Sequence, residues 1–290
     1  MLIFKQIKGL QKHLQNPDNK HITQGFVPTM GALHQGHLSL IKRSKKECKL
    51  TICSIFVNPT QFNDKADFDK YPNTIATDIE MLNDVGCDVL FLPSVKEMYP
   101  DGFVNSKEIK FGFLAETLEG EHRPGHFAGM AQVVEKLLRI VKPDKLYMGQ
   151  KDFQQQLIVQ HLMKKRKLKP ELVTVATMRE KDGLAMSSRN VRLDADSRKL
   201  AVEISKTLKK VKSEIRSQKF ELREVEEAGR KRLMGFKEIE LEYFEIRNAQ
   251  TLKKTDENSK FKVQNSKLNL VALVAVKIGG VRLIDNMLLN

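Results

Sequence analysis

Phe26-Val-Pro-Thr-Met-Gly-Ala-Leu-His-Gln-Gly-His37 is the stretch on which the reading of this chain turns. The short apolar run over 22–27 predicts a strand that stops at Pro28. Gly31 and Gly36 follow, with His34 and His37 three residues apart, and then Leu38, Leu40 and Ile41 lead into a basic, helical run. Strand, glycine-containing turn and helix is the order in which α/β proteins aim backbone N–H groups at a phosphate. An imidazole at a helix start donates hydrogen bonds to phosphate oxygens. Gly36 has no Cβ, so a flat ring or a phosphate can approach the backbone closely. A plainer alternative is that His34 caps a turn and His37 lies on the helix surface. Two histidines flanking a glycine at a strand-to-helix junction favour the ligand reading.

Outward from this stretch the same alternation continues. The helix begun near Gly36 runs to about Cys48, and the β-branched run over 50–57 predicts a buried parallel strand halted at Asn58-Pro59. A polar loop over 61–73 leads to a helix over 74–85, which Gly86 closes, and a strand over 88–92 stops before Pro93. Residues 2–20 read as a short strand and a helix carrying Leu10 and Leu14. The glycine-rich segment 119–130, which holds Glu121, His122, Arg123 and His126, reads as a binding loop; a helix over 130–141, a strand over 145–148, another helix and a strand over 171–176 follow. This is the βαβ pattern of a Rossmann-like, doubly wound α/β sheet. After Arg189 two long amphipathic helices, 194–217 and 221–236, precede two strands, 239–247 and 269–277, joined by a polar linker over 251–267. The expected division is a nucleotide- and substrate-binding domain over 1–184 and a smaller C-terminal α+β lid domain over 185–290.

Composition narrows the class. The 290 residues are 41% hydrophobic and 30% charged, as in an ordinary globular protein. No apolar run approaches a membrane span, and the N-terminus is too polar for a signal peptide. Cys48, Cys53 and Cys87 are odd in number and lack metal-ligand spacing, so they read as reduced thiols of a cytoplasmic protein. The net charge of +14 raises nucleic acid as a partner. The excess is divided between 1–186 and 187–290, and the densest run, Lys164-Lys-Arg-Lys-Leu-Lys169, has no aromatic residues within it. Such a run reads as a solvated face, so no nucleic-acid and no membrane partner is expected.

Three further loops carry usable chemistry. Asn58-Pro-Thr-Gln61 lies past the carboxyl end of a strand, where open α/β sheets bind ligands, and its amides suit a hydroxy acid; an Asn-Pro turn is the ordinary alternative. Gly149-Gln-Lys-Asp152 precedes a helix: Lys151 can place a charge on a phosphate and Asp152 can accept from a ribose, or Asp152 is simply an N-cap. Met186-Ser-Ser-Arg189 offers two hydroxyls and a guanidinium for an anion, or is a polar interdomain loop. No Walker P-loop occurs, so a nucleotide would bind through the histidine-type site.

His34-Gln35-Gly36-His37 resembles the His-x-Gly-His signature of the nucleotidyltransferase superfamily. The fuller set is similar to the pantothenate synthetase family, the pantoate–β-alanine ligases. It comprises 25–37, Phe56-Val-Asn-Pro-Thr-Gln-Phe62, Glu121-His-Arg-Pro-Gly-His-Phe-Ala-Gly129, 149–155, 178–190 and Val281-Arg-Leu-Ile-Asp-Asn286. That resemblance implies ATP-dependent condensation of pantoate with β-alanine through a pantoyl adenylate, releasing AMP and pyrophosphate. It implies catalytic roles for His37 (general acid), His34 and Lys151. It places ATP on Met30, Gly31, Ala32, Leu33, His34, Gln35, Gly36 and His37, on Gly149, Gln150, Lys151 and Asp152, and on Met178, Met186, Ser187, Ser188 and Arg189. Pantoate falls to Gln61 and Gln155 with Asn58 in support, and β-alanine to Gln61. Mg²⁺ arrives with ATP and no metal site is built by the protein alone, although Asp78 is expected as an outer contact to the ion. A homodimer is also implied. Gln35 stands where the family has glutamate, and Met178 where it has valine.

Two other readings rest on residues alone. His34, His37, His122 and His126 would be the ligands of a zinc hydrolase, but Gly36, Pro124 and Gly125 interrupt the helices that would set their geometry. A basic RNA-binding module would show steeply salt-dependent binding.

Overall fold

The computed structural model describes residues 1–62, 68–69, 71–103, 109–217, 221–255 and 269–289. Residues 63–67 and 70 of the expected loop, and 256–267 of the expected linker, lie outside the described residues. Six parallel strands, β1 (Leu2–Phe4), β2 (Gln24–Thr29), β3 (Leu50–Ile55), β4 (Val89–Phe91), β5 (Lys145–Gly149) and β6 (Glu171–Val175), form one sheet in the order β1-β4-β3-β2-β5-β6. Every residue of β3 is buried, as expected of a strand covered on both faces. Alternation sends Phe26, Ile52, Phe91 and Leu146 into a core with the helix His126–Val141. It sends Val27, Cys53, Leu90 and Tyr147 into a second core with Leu40 and Ile41 of the helix Gln35–Glu47 and Leu82 of the helix Ile75–Asp84. The sheet is therefore doubly wound. Its order reverses between β2 and β5, and the crevice at such a reversal is where these sheets bind ligands.

Two expectations at this edge need correction. Pro28 does not end β2 but lies within it, paired with Ser54 of β3. Thr29 O accepts from Phe56 N on the β3 side, so alternation turns Pro28 to the β5 side, where pairing has ended at Phe26–Leu146. Its missing N–H costs no ladder bond there. The segment 119–130 is not one loop: a single helical turn spans Glu119–His122, and the long helix already begins at His126.

By its packing the chain divides into two compact units, Met1–Gln150 with Gln155–Ala176, and Lys151–Gln154 with Thr177–Asn290. The second contains the helices Ala195–Ser217 and Leu222–Met234 and an antiparallel sheet β7 (Ile239–Asn248), β8 (Leu270–Ile278), β9 (Val281–Leu288). Its third strand was not expected from the sequence. β8 and β9 meet at Gly279-Gly280, both at positive φ (55° and 72°), a two-residue hairpin turn that suits glycine. Along the other side of β7, Glu226 accepts from Ile246 N (2.6 Å) and Arg230 donates to Phe244 O (3.0 Å), which occupies backbone groups left unpaired by the ladder.

All three cysteines are buried free thiols, and burial pushes Cys87 up to about 12, so it is no nucleophile at neutral pH. Near the start of β5, Glu47 gathers Arg43, Lys145 Nζ (3.1 Å) and Tyr147 Oη (3.0 Å), joining helix to sheet. Bonds from Arg43, Lys145 and Tyr147 hold its carboxyl at about 2 against the opposing effect of burial. A depressed carboxyl pKa stabilises the fold above the unfolded-state value and ceases to do so as pH falls through the folded one. Glu47→Gln is expected to lower the urea midpoint at pH 7, and the gap to wild type to shrink below about pH 4.5 and close near pH 2.

Candidate active site

The turn after β2 departs from ordinary backbone at two successive residues, Gly31 (φ 81°) and Ala32 (φ 49°). Asp78, in the first turn of the helix Ile75–Asp84, holds it there: Oδ2 accepts from Ala32 N (2.9 Å) and Oδ1 from Leu33 N (2.8 Å), with Thr74 Oγ1 also donating to Oδ1 (3.1 Å). Asp78 is 1% exposed. A Cβ on Gly31 would lie 3.1 Å from Asp78 Oδ2, so glycine is needed for space as well as for φ.

The turn delivers His34 to the N-cap of the helix Gln35–Glu47. His34 Nδ1 accepts from Gly36 N (3.1 Å) and His37 Nδ1 accepts from His34 N (3.3 Å), a reciprocal cap that brings the ring centroids to 4.1 Å. Because both Nδ1 atoms are acceptors, the neutral rings carry their proton on Nε2. The structure shows the cap of the two sequence alternatives, and capping is what makes each Nε2 a donor. Gln35, between them, is exposed.

After β3 the chain makes a short turn, Pro59–Gln61. Asn58 is fully buried beneath it; its amide donates to Thr60 Oγ1 (2.9 Å) and Gly129 O (3.2 Å) and accepts from Tyr99 Oη (3.0 Å). His126 Nδ1 bonds Gln61 O (2.8 Å), and Gly129 lies so close that a Cβ there would meet Thr60 O at 2.1 Å. The Gln61 side chain donates to Met30 Sδ (2.6 Å), bringing the loops after β2 and β3 together. At the end of β5, Gln156 donates to Gly149 O and accepts from Thr174 Oγ1 (2.7 Å); Gln150 follows in sequence, and Gln155 is half-buried at the start of the helix Phe153–Arg166.

The remaining expected residues belong to the second unit. Lys151 lies 3.6 Å from Asp152. Met178 and Met186 face each other across a hairpin (Met186 N to Met178 O, 3.0 Å), and Ser187 Oγ accepts from Arg189 N (3.3 Å) just beyond it, with Ser188 between them. Among the described residues no three His, Cys, Asp or Glu side chains gather as a metal site, which disfavours the zinc reading. Sequence reasoning missed the supporting roles of Asp78, Tyr99 and Gly129. For Gly129 the signal was the glycine-rich segment itself; for Asp78 and Tyr99 there was none.

A doubly wound sheet with a histidine-capped helix at its reversal point defines a nucleotide-binding α/β protein of the His-x-Gly-His class. The chain belongs to the pantoate–β-alanine ligase family, whose sequence profile matches residues 2–288. It is 42% identical to the pantothenate synthetase of Cytophaga hutchinsonii over 289 residues, covering 100% of this chain and 99% of the relative. The enzyme of Aquifex aeolicus is 40% identical, with 98% of each chain covered. Among solved structures, pantothenate synthetase from Thermus thermophilus superposes with a TM-score of 0.90 at 36% identity, covering 100% and 99% of the two chains. The pantoate-beta-alanine ligase of Francisella tularensis, complexed with beta-gamma ATP and beta-alanine, gives 0.79 at 38% identity, covering 100% and 98%.

Asp78→Asn turns a donor toward a backbone N–H, and is expected to cost about 1–3 kcal/mol and to raise the KM for ATP, checked by thermal melts and initial rates. Gly129→Ala is expected to displace the Gln61 turn and raise the KM for pantoate roughly tenfold or more, with a smaller change for ATP.

Proposed function

We propose the following division of roles in the reaction of this family. The enzyme condenses pantoate with β-alanine at the expense of ATP. A pantoate carboxylate oxygen attacks the α-phosphorus, the bond to pyrophosphate breaks, and pantoyl adenylate forms. The β-alanine amine then attacks the acyl carbon, and AMP leaves. Activation is required because a carboxylate offers an amine no adequate leaving group. The protein's contribution is alignment and stabilisation of charge.

The observation that supports this reading best is the reciprocal histidine cap, which leaves His34 and His37 protonated at Nε2 at the start of a helix. In this reading the acid role of His37 is hydrogen-bond donation from Nε2 to the phosphate oxygens where charge builds, with no net loss of the ring's proton; His34 stands beside it, and the helix N-terminus adds its own attraction for anions. Met30 to His37 and Gly149 to Asp152 hold ATP, Lys151 places its ammonium on the phosphates, and Met178 and Met186 to Arg189 complete the nucleotide set. Gln61 and Gln155 bind pantoate and Gln61 also orients β-alanine, while Asn58 acts from beneath by fixing the Gln61 turn. Mg²⁺ enters with ATP, in keeping with an ion that retains water and phosphate ligands rather than a protein cage. In this reading the enzyme is a cytoplasmic homodimer.

AMP and pantothenate are expected together only when ATP, pantoate, β-alanine and Mg²⁺ are all supplied, with slow pyrophosphate release from ATP and pantoate alone. His37→Ala and Lys151→Ala are expected to lower kcat by roughly 10²-fold or more, with melting unchanged in Lys151→Ala and a few degrees lower in His37→Ala, which also loses one bond of the helix cap. Near wild-type turnover in either variant would remove that residue from its role, and loss of Mg²⁺ dependence would remove the ion.

A further inference from the structure

The stretch Val281-Arg-Leu-Ile-Asp-Asn286 has no part in the roles above, yet β9 carries its last two residues into the interior: Asp285 is 3% and Asn286 2% exposed. Arg179 meets Asp285 with both arms of its guanidinium, Nη1 to Oδ2 at 2.6 Å and Nη2 to Oδ1 at 3.0 Å. The same guanidinium donates to Gly183 O (3.1 Å) and Asn286 O (3.3 Å), and Asp285 Oδ1 also accepts from Asn286 N (2.8 Å). Asn286 Nδ2 donates to the backbone carbonyl of Lys151 at 2.7 Å, across 135 positions of sequence. Arg179 sits in the hairpin that pairs Met178 with Met186, bridged again through Ala185 and through Glu180 N to Leu184 O (2.8 Å).

A buried carboxylate needs a partner, and a two-armed, planar pair admits little angular freedom. The network therefore ties two segments to one strand of a sheet: the backbone of Lys151, and the hairpin that leads into Ser187–Arg189. We propose that Arg179, Asp285 and Asn286 are positioning residues for the adenylation step, presetting the Lys151 ammonium and the Ser187–Arg189 loop for the ATP phosphates. The inference rests on the reading of Lys151 as a phosphate-holding residue.

Asn286 allows the sharper test, because its side chain reaches Lys151 through a single bond. Asn286→Ala removes the donor, and Asn286→Asp sets a carboxylate against the carbonyl. The measurement is the rate of AMP formation, with KM for each substrate, for Asn286→Ala, Asn286→Asp, Lys151→Ala and the Asn286→Ala/Lys151→Ala double variant. Asn286→Ala is expected to lower kcat about tenfold or more and Asn286→Asp further, with KM for pantoate within about twofold of wild type. In the Lys151→Ala background the same substitution is expected to cost less than about twofold, since the group it positions is gone. An equal loss in both backgrounds, or wild-type kcat in Asn286→Ala, overturns the proposal. Near wild-type activity in Lys151→Ala instead overturns the reading beneath it. If Asn286→Ala does not fold, Arg179→Lys, which keeps the charge but loses the second arm, is measured instead: a fall in kcat of about tenfold with KM for pantoate within about twofold supports the proposal, and wild-type kcat overturns it.

Discussion

One carboxylate under one turn sets the geometry of the histidine site. Ala32 adopts a left-handed conformation that costs a residue bearing a Cβ roughly 1–2 kcal/mol. Asp78 offsets this with two charge-assisted bonds to consecutive backbone N–H groups, each contributing about 1.5–3 kcal/mol. The balance favours the turn, and the turn decides where the helix Gln35–Glu47 begins. Without it β2 would run on in its own direction and His34 would not reach the N-cap. The two histidine rings are therefore placed by a residue more than 40 positions downstream.

The loop after β3 shows the same separation between groups that support and groups left to act. Asn58, Tyr99, His126 and Gly129 bond or pack beneath the turn, and it is the Gln61 side chain that reaches toward Met30. His126 illustrates how partners choose a tautomer. Its Nδ1 faces a carbonyl and must donate, and its Nε2, 3.1 Å from Arg123 Nη1, must accept. His34 and His37 face backbone N–H groups and take the opposite form. The same side chain is thus a support in one place and a donor in the other, according to which backbone group it meets.

These distinctions mark where sequence reading reached its limit. The doubly wound sheet was legible because each element carries its own signal: apolar residues over 22–27 for β2, a β-branched run for β3, helical periodicity between them, and glycine or proline at the junctions. The histidine pair was legible because its members are three residues apart. β9 was missed although Gly279-Gly280 was visible, because the strand was read without its hairpin partner. Asn58 is expected in support of the ligand set, but nothing in its spacing shows that it acts from beneath the turn, and the hold of Asp78 on the Gly31–Ala32 turn has no sequence signal. Spacing along the chain does not reveal which side of a loop a side chain occupies. The Arg179–Asp285 pair, 106 positions apart, left no local trace at all.

The cap also explains why histidine suits these two positions better than the usual capping residues. Serine or aspartate at His34 would satisfy the Gly36 N–H equally well, but neither has a second heteroatom fixed on the far side of a rigid ring. In imidazole the two nitrogens are coupled: an acceptor at Nδ1 leaves the neutral ring's proton at Nε2. A proton added at Nδ1 would set N–H against N–H and undo the cap. The backbone therefore leaves each ring with its donor at a defined point, so capping the helix and fixing that donor are accomplished by one hydrogen bond per ring.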